Sequence, residues 1–261
     1  MDRLHFQRRE LKYFVPEDRT EELRRFIQPY VRVDDHAAGL PGNRYTIHNC
    51  YLETPRLDSY RECEEGAAKR MKLRVRWYDE EARGPFFLEV KRKVNGVVIK
   101  DRARATREEA LEVLAGGIPA AASTMDRGDW RTFIDRLHVT GAKPYVRVKY
   151  TREPYESVFG EYARITFDRE IRYQVVDGAP LDEDPRSWNY VDGDWSTKSI
   201  RQATILELKT TAQEAPRWMS DLVAHFGLVQ TGYSKYANSV AHRLGSATRY
   251  QDVGRVVGWG S

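Results

Sequence analysis

The chain has 261 residues, of which 41% are hydrophobic and 31% are charged. This length and hydrophobic content are sufficient to bury a core, which excludes an intrinsically disordered chain and permits a single domain. The 43 basic and 39 acidic side chains leave a formal net charge of +4. Because the whole chain is only weakly basic, any polyanion-binding function must come from local segregation of charge.

Cysteine usage and apolar runs give no sign of export or of a membrane anchor. Cys50 and Cys63 are too few for a disulfide framework and lack the spacing of a structural zinc site. The first residues contain no apolar stretch typical of a signal peptide, and no run approaches the roughly 18 apolar residues that indicate a membrane span. We therefore expect a soluble, cytoplasmic protein with reduced thiols and no membrane segment.

The N-terminal part of the chain predicts a strand, a helix and a second strand. Residues 6–15 alternate charged and apolar side chains, and the charged face of this strand carries Lys12. Asp18 or Thr20 is predicted to cap the amphipathic helix that follows. Residues 44–53 form the next predicted strand, because they are rich in tyrosine and β-branched side chains.

A β-hairpin over residues 69–93 is the most informative stretch. In its first strand every second residue is basic, and these residues are Arg70, Lys72, Arg74 and Arg76. In the second strand Glu89, Lys91 and Lys93 share one face, opposite an apolar face. Like charges on one strand face repel, so this stripe needs either solvent or a bound anion. The pattern is compatible with a solvated outer face and with a polyanion site.

A strand and two helices are predicted after the hairpin. The strand, residues 97–104, carries Lys100 and Arg102 on one face. Thr106 and Glu109 form a capping box that begins the first helix, and the second helix is expected from about residue 125 to 137.

The next predicted strand, residues 145–152, has a less regular pattern. Arg147 and Lys149 alternate with valines, whereas Arg152 falls on the face of the valines. Arg152 would therefore need a bulge or a strand end to point in the same direction as the other basic residues.

The C-terminal part alternates strands, one irregular segment and two helices. Arg164 lies in a predicted strand over residues 161–171, and a later strand over residues 204–210 places Glu207 and Lys209 on one face. The remaining predictions are an irregular excursion with at most short strands over residues 172–203 and helices over residues 216–226 and 234–244. We predict one domain over residues 1–245 and a loosely ordered tail over residues 246–261.

At least six predicted strands have one charged and one apolar face, and amphipathic helices occur between them. If the apolar faces pack outward against these helices, the charged faces point inward. This arrangement predicts an α+β fold with a closed antiparallel β-barrel that has a polar, cationic interior. An open sheet with solvated charges has the same pattern, so the patterning leaves both architectures open.

Eight short motifs occur in one order over residues 8–240. They are Glu10-Leu11-Lys12-Tyr13, Tyr51-Leu52-Glu53-Thr54, Arg74-Val75-Arg76-Trp77-Tyr78, Phe87-Leu88-Glu89-Val90-Lys91, Tyr150-Thr151-Arg152, Arg164-Ile165-Thr166-Phe167-Asp168, Leu206-Glu207-Leu208-Lys209 and Ser234-Lys235-Tyr236. Together they resemble the VTC domain, the polyphosphate polymerase domain of the triphosphate tunnel metalloenzyme, or CYTH-like, superfamily. The resemblance covers almost the whole chain and implies an antiparallel β tunnel.

The resemblance also implies a reaction and its ligands. The family moves the γ-phosphate of ATP onto inorganic polyphosphate and releases ADP, in a step that depends on Mn²⁺ or Mg²⁺. By resemblance, the phosphate ligands are Lys12, Arg74, Arg76, Lys91, Lys100, Arg152, Arg164 and Lys235, and Glu207 holds the metal. A cationic cavity suits this chemistry, because phosphoryl transfer needs positioning and neutralisation of charge.

The other charged residues of the motifs receive lesser roles. Glu10 and Glu89 are expected to act as counter-ions in preference to metal ligands. Arg102 and Lys209 are expected either to extend the channel or to lie at its rim, and Asp168 is expected to be structural. The same alternatives apply to Arg70 and Lys72.

Three other functions remain compatible with the sequence. A triphosphatase would use the same tunnel with water as the acceptor, and a sensor would bind polyphosphate or nucleotide without turnover. Nucleic-acid binding through basic strands and aromatic residues such as Trp77 is the least favoured of the three, because the net charge is modest. His48, flanked by strand residues, is predicted to be a packed or exposed residue rather than a ligand.

Overall fold

The computed structural model describes residues 8–78, 80–95, 97–123, 128–191, 203–211 and 215–245. In these ranges the strands are β1 (Arg8–Pro16), β2 (Val31–Val33), β3 (Tyr45–Glu53), β4 (Lys69–Trp77), β5 (Phe86–Val94), β6 (Val97–Ala105), β7 (Lys143–Ser157), β8 (Ala163–Val175), β9 (Asn189–Tyr190) and β10 (Ala203–Thr211). The α-helices are α1 (Thr20–Ile27), α2 (Asp58–Glu64), α3 (Arg107–Leu114), α4 (Ala120–Ser123), α5 (Gly128–Thr140), α6 (Arg217–His225) and α7 (Lys235–Arg243).

These strands belong to one antiparallel sheet. Neighbours follow the order β2-β7-β3-β4-β5-β6-β1-β10-β8-β9, and β7 pairs with β8 in addition to β2 and β3. Strand β1 pairs along its whole length with β10, whereas its register with β6 is Arg8 opposite Val98. The predicted antiparallel α+β fold is confirmed, and the predicted hairpin is β4 paired with β5.

The two faces of the sheet have different surroundings. One face, which we call the charged face, carries Lys12, Arg74, Glu89, Arg152 and Glu207. On the opposite face, Trp77 and Leu88 pack in a cluster with residues of α3 and α5. Phe167 and Leu208 pack on the same side with residues of α1 and α6. These amphipathic helices therefore bury the apolar strand faces, as the alternation predicts.

Helix α7 is the exception, because it packs against the charged face. Tyr236 and Val240 of α7 form a cluster with Val146 and Val148 of β7. The strand residues beneath α7 are apolar, because the apolar side of this helix is buried only if it packs against apolar side chains. Helix α7 therefore covers one part of the charged face, whereas the other amphipathic helices named above cover the apolar face.

Arg152 reaches the charged face by regular alternation, because it has the same parity as Val148 on β7. The sequence predicted that a bulge would be needed to aim it there. The β7–β8 register does shift, between Lys149 and Thr151, and Glu170 of β8 has a φ of 53° there. Arg152 therefore needs no bulge to point to the charged face. Lys149 is the residue that points to the opposite face, where it lies against the ring of Trp188.

The predicted helix starts are correct for α3 and wrong for α1. Thr106 and Glu109 form the predicted capping box, with bonds of 2.8 Å and 3.2 Å between each side chain and the other residue's backbone N–H. In α1 the N-cap is Arg19, without a side-chain cap. Thr20 instead donates its hydroxyl to the Glu17 carbonyl at 2.6 Å, so neither Asp18 nor Thr20 caps this helix.

Several predicted features fall partly outside the described residues. These are the tail over residues 246–261, the end of the excursion over residues 192–202 and the start of the helix predicted from about residue 125. At the start of the predicted excursion the structure differs, because β8 continues to Val175 through its pairing with β7. After Val175 the described part of the excursion is irregular except for β9, as predicted. Among the described helices, none has both the length and the apolar character needed to cross a lipid bilayer.

Candidate functional site

Glu89 of β5 is the centre of one group of cations on the charged face. Its side chain is fully buried, and its carboxylate lies 2.5 Å from a guanidinium nitrogen of Arg74 and 2.6 Å from Lys100 Nζ. Arg102 Nε lies 3.1 Å away and Arg76 Nε lies 3.9 Å away. The strand register produces this group, because Glu89 pairs with Arg74 on β4 and with Arg102 on β6.

Glu207 of β10 is the centre of a second group. Lys235 Nζ lies 2.8 Å from its Oε1, and Lys209 Nζ lies 3.2 Å from its Oε2. An Arg152 guanidinium nitrogen and Lys12 Nζ lie 3.3 Å and 3.8 Å from the carboxylate. Four cations from β1, β7, β10 and α7 therefore surround one buried carboxylate.

Asp168 of β8 connects two of these cations. Arg152 donates two parallel hydrogen bonds to it, at 2.7 Å and 2.6 Å, and Lys235 Nζ lies 2.6 Å from its Oδ2. Paired bonds of this kind fix both the position and the plane of a guanidinium. Asp168 therefore positions Arg152 and Lys235, in line with the structural role expected for it.

The carboxylate of Glu10 on β1 belongs to a third group, between the groups around Glu89 and Glu207. Lys91 Nζ lies 2.7 Å from Glu10 Oε2, and Glu10 pairs with Lys209 in the β1–β10 register. We call the whole set the basic cluster. Its members are Lys12, Arg74, Arg76, Lys91, Lys100, Arg102, Arg152, Lys209 and Lys235, with the carboxylates Glu10, Glu89, Asp168 and Glu207. Nine cations face four carboxylates, so the cluster carries an excess of positive charge.

Tyrosine hydroxyls orient two of the guanidinium groups. Tyr51 accepts a hydrogen bond from Arg74 at 3.1 Å, and Tyr150 accepts one from Arg76 at 3.3 Å. The sequence motifs contain both tyrosines, but sequence reasoning assigned them no role. The strand register that brings them to their arginines joins distant parts of the chain, so spacing along the sequence carries no signal for it.

Burial and charge shift the pKa values of the cluster in opposite directions. Burial lowers the pKa of Lys12 to about 7, although Glu207 opposes this shift. Burial also lowers the pKa of Lys100 to about 7, against the effect of Glu89. Burial alone would raise the pKa of Glu207, but Lys235, Lys209 and Lys12 outweigh it and hold the pKa well below its usual value. Both lysines therefore titrate near neutral pH while Glu207 stays ionised.

The basic cluster contains most of the residues predicted from sequence. It includes Lys12, Arg74, Arg76, Lys91, Lys100, Arg152, Lys235 and Glu207. Arg164 lies elsewhere: its side chain is 44% exposed and pairs with Glu156 at 3.1 Å and Asp34 at 3.5 Å. Arg102 and Lys209, which were expected to extend the channel or lie at its rim, contact the two central carboxylates Glu89 and Glu207. Glu89 has four cationic neighbours, an environment typical of the counter-ion that it was expected to be.

A family model for the VTC domain matches residues 7–243 of this chain. The chain belongs to the VTC domain family. This match confirms the resemblance that the eight motifs indicate. None of the curated protein sequences matches the chain significantly.

Solved structures with a remote similarity to this VTC domain were also found. An adenylyl cyclase-like protein from Hippeastrum, described as having a dominant triphosphatase activity, is 17% identical, with a TM-score of 0.48 and coverage of 93% of this chain and 97% of that chain. A protein from Bacillus halodurans, described as an adenylate cyclase candidate, is 15% identical, with a TM-score of 0.47 and coverage of 86% and 93%. The family assignment depends on the VTC match and not on these two structures.

The donor chemistry of this VTC domain fits a hard divalent cation at Glu207. Carboxylate oxygens are the ligands that Mg²⁺ and Mn²⁺ prefer. Both oxygens are engaged by protein cations, Oε1 by Lys235 and Oε2 by Arg152. An ion at this position would therefore replace ammonium or guanidinium groups as the partner of the carboxylate.

A separate group of candidate metal ligands lies on the opposite face of the sheet. It consists of His48, Glu80 and Glu183, whose ligand atoms lie within 4.8 Å of one another. His48 is fully buried and stacks on Trp77 with ring centroids 5.4 Å apart. It is thus a packed residue, as predicted, but it also has two carboxylate neighbours.

Proposed function

We propose that this VTC domain transfers the γ-phosphate of ATP onto inorganic polyphosphate, on a charged face that lines a closed tunnel. The observation that supports this proposal is the basic cluster, in which nine cations converge on four carboxylates. The excess cations match a multiply charged linear anion such as a triphosphate or a polyphosphate chain.

The strand pairings support a tunnel. Strand β7 pairs with β3 on one side and with β8 on the other. From β7 the pairings run through β3, β4, β5, β6, β1, β10 and β8, and then back to β7. Among the described residues, β1 meets β6 at one pair, Arg8 opposite Val98.

The residues of the cluster would act by positioning and charge neutralisation. Arg74, Arg76 and Arg152 are already oriented by tyrosine or carboxylate partners, so they present planar donors to phosphate oxygens with little loss of side-chain freedom. Lys12 and Lys100 act as point charges. A terminal phosphate oxygen of the acceptor attacks the γ-phosphorus, the bond from that phosphorus to the bridging oxygen of the β-phosphate breaks, and ADP leaves with the electron pair.

Glu207 is the residue that would hold the divalent metal, and the metal would supply further neutralisation of phosphate charge. Lys235 and Lys12, which otherwise pair with this carboxylate, would then be released to bind phosphate oxygens. On binding, the metal would replace these lysines as the partner of Glu207, and phosphate oxygens would replace Glu207 as a partner of the lysines.

The test is incubation of the 261-residue chain with ATP and Mn²⁺, followed by gel analysis of polyphosphate and separate measurement of ADP and orthophosphate. Long chains formed together with ADP support the polymerase. Orthophosphate without chains identifies a triphosphatase, in which water replaces the acceptor. Tight triphosphate binding with neither product identifies a sensor.

Two variants sharpen this test. Glu207→Gln is expected to lose product formation, whereas Arg131→Gln should retain it, because the Arg131 side chain is 86% exposed on α5. Equal activity of all three proteins would remove the assignment of the reaction to the basic cluster.

A further inference from the structure

The group formed by His48, Glu80 and Glu183, which we call the outer site, lies on the face of the sheet opposite to the basic cluster. His48 belongs to β3, Glu80 to the loop between β4 and β5, and Glu183 to the segment after β8. Because the three residues come from separate parts of the chain, their spacing carries no recognisable motif. The fold alone brings them together.

Glu183 holds the imidazole of His48 through one ring nitrogen. Nδ1 lies 2.6 Å from Glu183 Oε1, and the ring stacks on Trp77 with an interplanar angle of 18°. A carboxylate on one imidazole nitrogen fixes the tautomer and leaves the lone pair of the other nitrogen available for a metal. Glu183 therefore has the position of a residue that orients a metal-binding histidine.

The other ring nitrogen, Nε2, is buried without a hydrogen-bond partner among the described residues. Glu80 Oε1 lies 3.5 Å from it, which is too far for a good hydrogen bond. A buried nitrogen in this state is rare in native proteins. A cation between Nε2 and the Glu80 carboxylate would satisfy both groups.

The remaining charges near the outer site are consistent with this arrangement. Lys149 Nζ lies 3.9 Å from Glu183 Oε2 and 4.4 Å from the Trp188 ring centroid. It partly neutralises the oxygen of Glu183 that does not face His48. The Glu80 side chain is 61% exposed, so it can move toward an ion and water can reach the site.

We propose that the outer site binds a transition-metal dication of the zinc type. His48 Nε2 and the Glu80 carboxylate are the ligands, Glu183 orients the imidazole, and water fills the remaining positions. An imidazole ligand favours Zn²⁺, Co²⁺ and Ni²⁺ over Mg²⁺, so this site differs in selectivity from a carboxylate site at Glu207. The ion joins β3 to the β4–β5 loop and, through Glu183, to the segment after β8. The proposal is independent of the proposed catalytic function.

The primary test is calorimetric titration of the chelator-treated, 261-residue chain with Zn²⁺ in the absence of nucleotide. We expect one Zn²⁺ site that a large excess of Mg²⁺ does not occupy. Glu80→Gln is expected to weaken Zn²⁺ binding at least tenfold. The matched control is Glu81→Gln, which removes the same charge from the next residue, itself 60% exposed, and should change the affinity less than twofold.

Two further variants separate the outer site from the basic cluster. Glu183→Gln is expected to weaken Zn²⁺ binding by about 10- to 100-fold, as for other residues that orient a ligand, whereas Glu207→Gln should leave it unchanged. Binding of Ni²⁺ should quench tryptophan fluorescence, because Trp77 stacks on His48, and Glu80→Gln should weaken this quenching equally. Unchanged Zn²⁺ affinity in Glu80→Gln, or equal competition by Mg²⁺, would show that His48 is paired with carboxylates only and would overturn the proposal.

Discussion

The Lys235 ammonium lies 2.8 Å from Glu207 Oε1 and 2.6 Å from Asp168 Oδ2. The first residue of α7 therefore sits between two buried carboxylates from different strands. In the free protein these carboxylates neutralise part of the positive charge of the cations around them. A phosphate chain that enters the basic cluster must compete with Glu207 and Asp168 for the same lysines and arginines.

The first prediction concerns Glu207→Gln, which removes one negative charge from the neighbourhood of four cations. We expect turnover of ATP to fall by more than about 100-fold, as for loss of a group that stabilises charge in the reaction. We also expect thermal stability to fall at low salt, because the four cations then repel one another without a counter-ion. Added tripolyphosphate should raise the melting temperature more in this variant than in the wild type, measured by scanning calorimetry.

The control for this variant is Glu156→Gln. Glu156 pairs with Arg32 and, at 3.1 Å, with Arg164, outside the basic cluster. Its loss should leave both turnover and the effect of tripolyphosphate close to the wild-type values. If both variants behave alike, the distinction between the two carboxylates is wrong.

The second prediction distinguishes a counter-ion from a metal ligand at Glu89. This carboxylate is fully buried among four cations, and removal of one partner of a buried ion pair typically destabilises a protein by about 3–5 kcal/mol. Glu89→Gln should therefore lower the free energy of unfolding by an amount of this order in urea titrations. The Mn²⁺ concentration needed for half-maximal activity should stay constant, and an increase of tenfold or more would instead identify Glu89 as a metal ligand.

The third prediction is a pH dependence of anion binding. The pKa of Lys12 is about 7 because of burial, so its positive charge is lost as the pH rises through neutrality. Tripolyphosphate affinity should therefore decrease between about pH 6 and pH 8. In Lys12→Arg the guanidinium stays charged, and the decrease should be shallower in calorimetric titrations. Identical pH profiles for the two proteins would exclude Lys12 as the source.

The same lysine affects folding stability with the opposite sign. Its pKa is about 7 in the folded protein and near 10.5 in the unfolded chain. Between these values the unfolded chain binds more protons, so the contribution of Lys12 to stability increases as the pH rises. Urea titrations across this range should show a smaller increase in Lys12→Met than in the wild type. An equal increase in both proteins would contradict the lowered pKa.

The fourth prediction separates two arginines that the sequence placed in one ligand set. Arg152 donates two bonds to Asp168 within the basic cluster, whereas Arg164 pairs with Glu156 and is 44% exposed. Arg152→Gln should lower the catalytic efficiency for ATP by at least about 100-fold, because the proposed function assigns its guanidinium to the phosphate oxygens of the substrate. Arg164→Gln should change the catalytic efficiency less than about threefold. Equal losses would place Arg164 in contact with the substrate.

Strand alternation predicted much of the fold and much of the basic cluster. Both strands of the β4–β5 hairpin have a strict period of two, so Arg74 and Arg76 could be assigned to one face of β4 from sequence alone, and Glu89 to one face of β5. The pairing of Glu207 with Lys209 on one strand face followed from the same rule. These assignments depend on local chain geometry, which the sequence displays directly.

The features that could not be predicted depend on contacts between distant segments. Val148 lies on the charged face and is covered there by α7, a helix that the sequence around Val148 does not predict. Arg164 has the parity of a cluster residue, but Glu156 of the neighbouring strand captures its guanidinium. His48 appeared isolated because Glu183 lies far along the chain. In each case the partner, and not the residue itself, determines the role.

The full-length pairing of β1 with β10 has a consequence for how the chain folds. The first strand finds its partner only after almost the entire domain has been synthesised. Contacts of such wide sequence separation slow folding, and they leave strand edges unpaired in the meantime. The nascent chain must therefore keep β1 from pairing with other strands until β10 has left the ribosome.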